Sequence, residues 1–306
     1  MTREELYELI WADPVYLVAK RLKISGTYLA RVCIALEVPR PPRGYWAKKA
    51  VGKAPVPPEL PPVHPGNPDS WDRGATEQVC MRPFYTKLYR ECAYGVDETK
   101  EHPLIRITRQ HYEAAVSLLE GRDGYLQVAQ VRPLVDLTVS SGGLQSALKF
   151  ADTLFMTLNA RSHRVVIAAL FQKLMRVPII VESELSTDEP LEVGRVAAPY
   201  RPTLTYIGAT LIGLSIVETS KLTRVQYAGF GKFVAIDRWK DRKVGHSWST
   251  TKQMPTGLFK LVAYDPTLAT KWKLEWSETK PGQLTENVKA VVEKLERAAV
   301  DLESKS

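Results

Sequence analysis

A chain of 306 residues with 44% hydrophobic content has room for two domains and a sizeable core, and none of its apolar runs reaches membrane-spanning length. Its net charge of +8 and pI near 9.2 suit a polyanionic partner. Three scattered cysteines (Cys33, Cys80 and Cys92) form no CxxC pair, which argues against a disulfide scaffold or a zinc module and for a reduced, cytoplasmic setting.

The opening residues MTREELYELI are acidic and amphipathic, unlike a signal peptide. They predict a helix over residues 2–11. Thr2 with Glu5 three residues on is a capping-box pattern, and Leu6, Leu9 and Ile10 supply an apolar stripe. Residues 13–36, DPVYLVAKRLKISGTYLARVCIAL, read as two further helices over 14–22 and 26–36. Lys23, Ile24 and Ser25 form the turn between them. Pro14 suits a first helical turn, and Asp13 and Ser25 are capping residues. Val18, Leu22, Ile24, Leu29, Val32 and Leu36 are the expected shared core. Ala19 falls where the two helices cross, and Cys33 lies on the buried side. Ser25, Gly26, Thr27, Tyr28 and Arg31 point away from that core.

This order of small and apolar residues, carried by Ala19, Lys23, Ile24, Leu29 and Val32, resembles the helix-turn-helix of bacterial and phage repressors. The departure is Lys23, where that family usually has glycine to adopt a positive φ. The resemblance implies that the second helix enters the major groove of double-stranded DNA. Ser25, Thr27, Tyr28 and Arg31 would then face base edges or phosphates. The competing reading is an ordinary helical hairpin without a ligand.

Residues 38–53, VPRPPRGYWAKKAVGK, interleave Arg40, Arg43, Lys48, Lys49 and Lys53 with Tyr45 and Trp46. Pro39, Pro41 and Pro42 favour an extended path. The expectation is a basic arm whose aromatics pack on the small core while Arg40, Arg43, Lys48 and Lys49 contact phosphate. Residues 1–53 hold ten Lys and Arg against five Asp and Glu, over half of the net charge. The helix-turn-helix followed by PPRGYWAK is similar to the N-terminus of a group of bacterial helix-turn-helix proteins of unassigned function. That resemblance carries over no catalytic residue. Residues 54–73 contain seven prolines and read as a semi-rigid linker that closes the DNA-binding module.

Residues 74–306 read as one α+β domain for oligomerisation or sensing, with a mostly antiparallel sheet and helices on one face. Helices are expected over 107–120 and 144–161. The second has a stripe of Leu144, Ala147, Leu148, Ala151, Leu154, Phe155 and Leu158. Residues 165–175 fit strand or helix. Residues 177–181 suggest a short buried strand. Residues 202–237 turn strand-like, with turns at Ser220-Lys221 and at Gly229 to Gly231, and 258–264 and 272–276 suggest further strands. Residues 237–252, DRWKDRKVGHSWSTTK, are a second basic–aromatic stretch, expected as a long hairpin loop that binds nucleic acid or is merely solvated. In residues 283–303, Leu284, Val288, Val291, Leu295, Ala298 and Leu302 form a heptad seam. It serves either a homodimer or docking on the chain's own sheet.

Chemistry is sparse. No P-loop or GxSxG elbow is present, and the five histidines (His64, His102, His111, His163 and His246) show no metal spacing. No cofactor or metal is expected. Glu182 with Glu184 and Asp237 with Asp241 are the carboxylate pairs that a nuclease would use. The leading expectation is a sequence-specific DNA-binding protein, a bacterial transcriptional regulator acting as a dimer. The rivals are a nucleic-acid-processing enzyme and an accessory protein of a mobile element or defence system, each targeted by the helix-turn-helix.

Overall fold

Hydrophobic spacing and capping place the N-terminal helices where local physics expects them. The computed structural model describes residues 1–61, 63, 69–72, 101–115, 124–128, 134–168, 173–181, 199, 201–229, 232–239 and 247–304. Its chain divides into two units, Met1–Arg90 and Glu91–Ser306. The whole is α+β, with helices first and a mostly antiparallel sheet in the C-terminal unit.

In the first unit α1 spans Arg3–Ala12, α2 Val15–Arg21, α3 Gly26–Ala35 and α4 Tyr45–Ala50. The α1 capping box forms as expected: the Thr2 hydroxyl accepts from the Glu5 amide, and the Glu5 carboxylate accepts from the Thr2 amide at 2.8 Å. Helices α2 and α3 both end in Schellman motifs. In α2 the Ile24 amide donates to Ala19 and the Lys23 amide to Lys20, which puts Lys23 at φ 53. In α3 the Val38 amide donates to Cys33, and Glu37 takes φ 51. The core is Leu6, Ile10, Val18, Ala19, Leu29, Val32, Cys33, Leu36, Val38 and Trp71. Burial there pushes the Cys33 thiol up to about 12.

Two expectations for this unit need correction. Residues 45–50 are helical, not extended: the proline run ends at Pro42, and Gly44 at φ 82 turns the chain into α4. The proline-rich stretch is also no free linker. The buried Arg3 guanidinium gathers three carbonyls, donating to Leu36 at 2.6 Å, Pro61 at 2.5 Å and Glu37 at 3.3 Å. Tyr7 donates its hydroxyl to the Pro58 carbonyl at 2.8 Å, and Leu60 packs on the core. Met1 and Trp71 exchange backbone hydrogen bonds, and the Arg3 amide donates to Asp69.

In the second unit α5 is Pro103–Glu113 and α6 is Leu144–Ala160. Two helices near the C-terminus follow one another, the one-turn α7 Gln283–Glu286 and the long α8 Val288–Glu303. The strands are β1 Leu137–Thr138, β2 Arg164–Ile167, β3 Thr203–Ile207, β4 Thr210–Gly229, β5 Lys232–Ala235, β6 Ser249–Tyr264 and β7 Lys273–Ser277. The sheet runs β2-β3-β4-β6-β7, with β1 and β5 also paired to β4. Among the described strands only β1 runs parallel to its neighbour. The expected α6 stripe is buried throughout.

The heptad seam also resolves. Val288, Val291, Leu295 and Ala298 are buried against α6, β3 and β4 of the same chain. Arg161 at the end of α6 pairs with Glu296 at 2.7 Å, and the Glu303 carboxylate accepts from Thr210 Oγ1 at 3.2 Å in the β3–β4 turn. The seam is consumed internally and does not supply a dimer contact.

Strand β4 runs unbroken through Ser220-Lys221, where a turn was expected. A register shift between Glu218 and Ser220 absorbs the irregularity, with Gly257 at φ 77 opposite. The actual turn is the two-residue Gly208-Ala209 loop, with Gly208 at φ 60. Residues 173–181 make a single β-bridge at Ile180 rather than a full strand, with the Val181 carbonyl accepting from the Ser220 amide at 2.8 Å, and they cover one face of the sheet. There Ile179 and Val181 pack with Val217, Val262 and Tyr264. From this cover Arg176 reaches down to the fully buried Asp136 at 2.7 Å. Burial pushes the Asp136 carboxyl above the usual range against the pull of Arg176. Residues 116–120 of the expected helix over 107–120 lie outside the described residues, and the described part ends at Glu113.

Candidate nucleic-acid interface

The exposed strip of α3 follows from its own spacing. Leu29, Val32 and Cys33 face the core, so Thr27 and Arg31, four apart, stand in solvent with Ala30 and Ile34 half-buried between and beyond them. The Ser25 hydroxyl accepts from the Tyr28 amide at 3.1 Å, which caps α3 at the end nearest Thr27. The strip is therefore held on a helix pinned at both ends, by Ser25 and by the Schellman closure at Glu37.

Tyr28 has a different neighbour. It is half-buried on the core, its ring meets Trp71 edge-on at 6.1 Å, and its hydroxyl accepts from the indole at 3.4 Å. Helix α2 adds an outer face that the sequence reading missed. Tyr16 is 70% exposed there and lies one turn before the exposed Lys20. Arg21 is tied to Asp13 at 2.7 Å. The signal for Tyr16 was available, since it lies off the Val18–Leu22 stripe.

The basic residues after α3 divide. Arg40, Arg43 and Lys48 are exposed. Arg40 stands close enough to α3 for its charge to pull on the Cys33 thiol. Lys49 is engaged within the unit: its ammonium lies 4.7 Å from the Trp46 ring centroid and donates to the Trp11 carbonyl at 3.4 Å. Tyr45 is buried and meets Trp11 edge-on at 5.0 Å, so the aromatic half of the arm does pack.

Elsewhere, Glu182, Glu184, Asp241, His64 and His246 lie outside the described residues, and Asp237 is exposed. Among the described residues no group of three or more His, Cys, Asp and Glu is placed to hold a metal. Among those same residues no helix is long and apolar enough to cross a membrane. No family model matches the chain, and neither a curated protein nor a solved structure does.

Proposed function

We propose that this chain is a sequence-specific DNA-binding protein of the cytoplasm, a transcriptional regulator that reads double-stranded DNA with α3. The observation that carries the reading is the surface of the α2–α3 pair. Residues 14–36 hold Lys20, Arg21, Lys23 and Arg31 and no acid at all. Thr27 and Arg31 stand exposed on the capped helix in their midst. A helix with small polar and arginine side chains at its N-terminal end suits the major groove, where arginine pairs with guanine and threonine with a thymine methyl. Arg40, Arg43 and Lys48 fit the phosphate backbone. Two copies on paired half-sites give such a module useful affinity, and α8 is not the means of pairing them.

Selection from random duplexes with the full chain tests this. The wild type should enrich one discrete site, and a Thr27→Ala/Arg31→Ala variant should lose preference for it while keeping its helical spectrum. Each lost base contact should cost about 1–3 kcal/mol. Neutralising Arg40, Arg43 and Lys48 should weaken all duplexes alike and flatten the log affinity against log salt slope by roughly 0.9 per contact. A double variant that still selects the wild-type site, or a wild type that selects none, refutes the proposal.

A further inference from the structure

The far end of the sheet carries an unused surface. Strands β4 and β6 pair with each other from Ser220 to Gln226, past the last residues that β3 and β7 touch, and among the described strands only β5 joins them there. At about 3.3 Å per residue this ribbon extends about 30 Å from the bulge to Gly229. Across its end runs a row of three aromatics, from β4, from β5 and from the residue just before β6: Phe233 pairs with Tyr227, and the Tyr227 amide donates to the Trp248 carbonyl at 2.8 Å. Tyr227 and Trp248 stack at 5.7 Å and 20°, and Phe233 meets both edge-on at 5.4 and 5.5 Å. The Ser247 hydroxyl holds the strand start in place, accepting from Gln226 Nε2 at 2.6 Å and donating to the Tyr227 carbonyl at 2.8 Å.

The row is half open. Trp248 is 52% exposed, although Val225 beside it is completely buried. A cluster serving only to close the ribbon would spend its largest ring on burial. The same face is cationic. Alternation along β4 puts Lys221 on the side of Tyr227, and Lys252, opposite Thr223, lies with its ammonium 3.6 Å from the Phe233 ring centroid. Lys221 and the exposed Arg238 after β5 have no acid partner among the described residues. Over residues 219–257 the sequence holds eight Lys and Arg against two Asp.

We propose that this ribbon binds single-stranded nucleic acid, stacking an unpaired base on Trp248 and passing the backbone along Lys221 and Arg238. Stacking needs a free base face, which a duplex does not offer, and a rigid aromatic beside cations is the chemistry that holds a single strand without reading its sequence. The surface is separate in sequence from α3 and is independent of the function proposed for that helix.

The test is fluorescence anisotropy of the full chain with labelled oligo-dT, oligo-rU and an arbitrary duplex of equal length. The wild type should bind the single strands more tightly than the duplex. Trp248→Ala should weaken single-strand binding by roughly five- to one-hundredfold, while Trp248→Phe, which keeps a ring, should recover most of it. Lys221→Ala/Arg238→Ala should flatten the salt dependence. Thr27→Ala/Arg31→Ala should leave single-strand binding unchanged, which separates this proposal from the one on α3. Absence of single-strand binding overturns the proposal. So does equal affinity of wild type and a folded Trp248→Ala, or binding confined to the duplex.

Discussion

Trp71 closes over Tyr28: the indole Nε1 donates to the phenolic oxygen at 3.4 Å, and the two rings meet edge-on at 6.1 Å. One residue belongs to α3 and the other ends the proline-rich stretch, so the surface offered by α3 depends on a segment 43 residues away in sequence. Trp71→Ala in the full chain should destabilise the first unit by about 3–5 kcal/mol, the range for truncating a buried aromatic. Tyr28→Phe removes only the hydroxyl, taking the acceptor from the Trp71 indole, and should cost about 0.5–1.5 kcal/mol. Hydrogen exchange of α1 to α3 amides measures both. Equal protection in wild type and Trp71→Ala would mean that the proline-rich segment contributes nothing to the helices. Because the Tyr28 ring is packed on Trp71 and the core, Tyr28→Phe should leave DNA site preference unchanged.

Lys23 sits at φ 53 as the residue after the C-cap of α2. A side chain in this region costs about 1–2 kcal/mol, and glycine gives back about 0.5–1 kcal/mol through its greater unfolded-state freedom. Lys23→Gly should therefore stabilise the first unit by about 0.5–1 kcal/mol, seen as a higher denaturant midpoint at unchanged slope. A lower midpoint would show that the exposed lysine makes a contact worth more than the backbone strain.

The contrast between Thr27 and Tyr28 explains what the sequence reveals and what it hides. The strip of Thr27 and Arg31 follows from helical period alone, because Leu29, Val32 and Cys33 fix the opposite face. The commitment of Tyr28 depends on Trp71, and proline-rich segments have no periodic signal that announces what they pack against. The capping box at Thr2 and the α6 stripe are likewise local and legible. The unbroken course of β4 is not. Ser220-Lys221 has turn composition, but the pairing of Ser220 with Pro255 and of Lys221 with Met254 is set across the sheet. The basic–aromatic character of residues 237–252 is legible in the sequence. The last of these residues belong to β6, and the partner of Trp248 is Tyr227, which no local pattern connects to it.

Leu295, on the inner face of α8, is completely buried. Leu295→Glu puts an unpaired carboxylate there at a cost of several kcal/mol. The second unit should lose its near-ultraviolet circular dichroism and cooperative unfolding. Val300→Glu on the same helix, where Val300 is 66% exposed, should stay within about 0.5 kcal/mol of wild type. A folded Leu295→Glu that changes only from dimer to monomer in light scattering would instead make the seam an intermolecular contact.

His102 gives the second unit an acid-sensitive element. Its ring is fully buried and meets Phe155 edge-on at 5.4 Å. Nδ1 accepts from the Leu104 amide at 3.2 Å as the N-cap of α5, so the neutral ring carries its proton on Nε2, which has no partner among the described residues. The His102 amide donates to Asp152 at 2.8 Å. Burial lowers the imidazole from 6.5 to about 4. Because the folded value is depressed, the unfolded chain takes up the proton first as pH falls. The contribution is complete above 6.5 and is lost progressively down to about 4. At 1.36 kcal/mol per pH unit, lowering the pH from 7 to 5 should remove about 2 kcal/mol through this residue. His102→Asn keeps a capping acceptor and cannot titrate. It should start less stable, having lost ring packing, but show a flatter decline between pH 7 and 5 in denaturant titrations. If both proteins lose stability equally over that range, His102 is not the group that senses the acid.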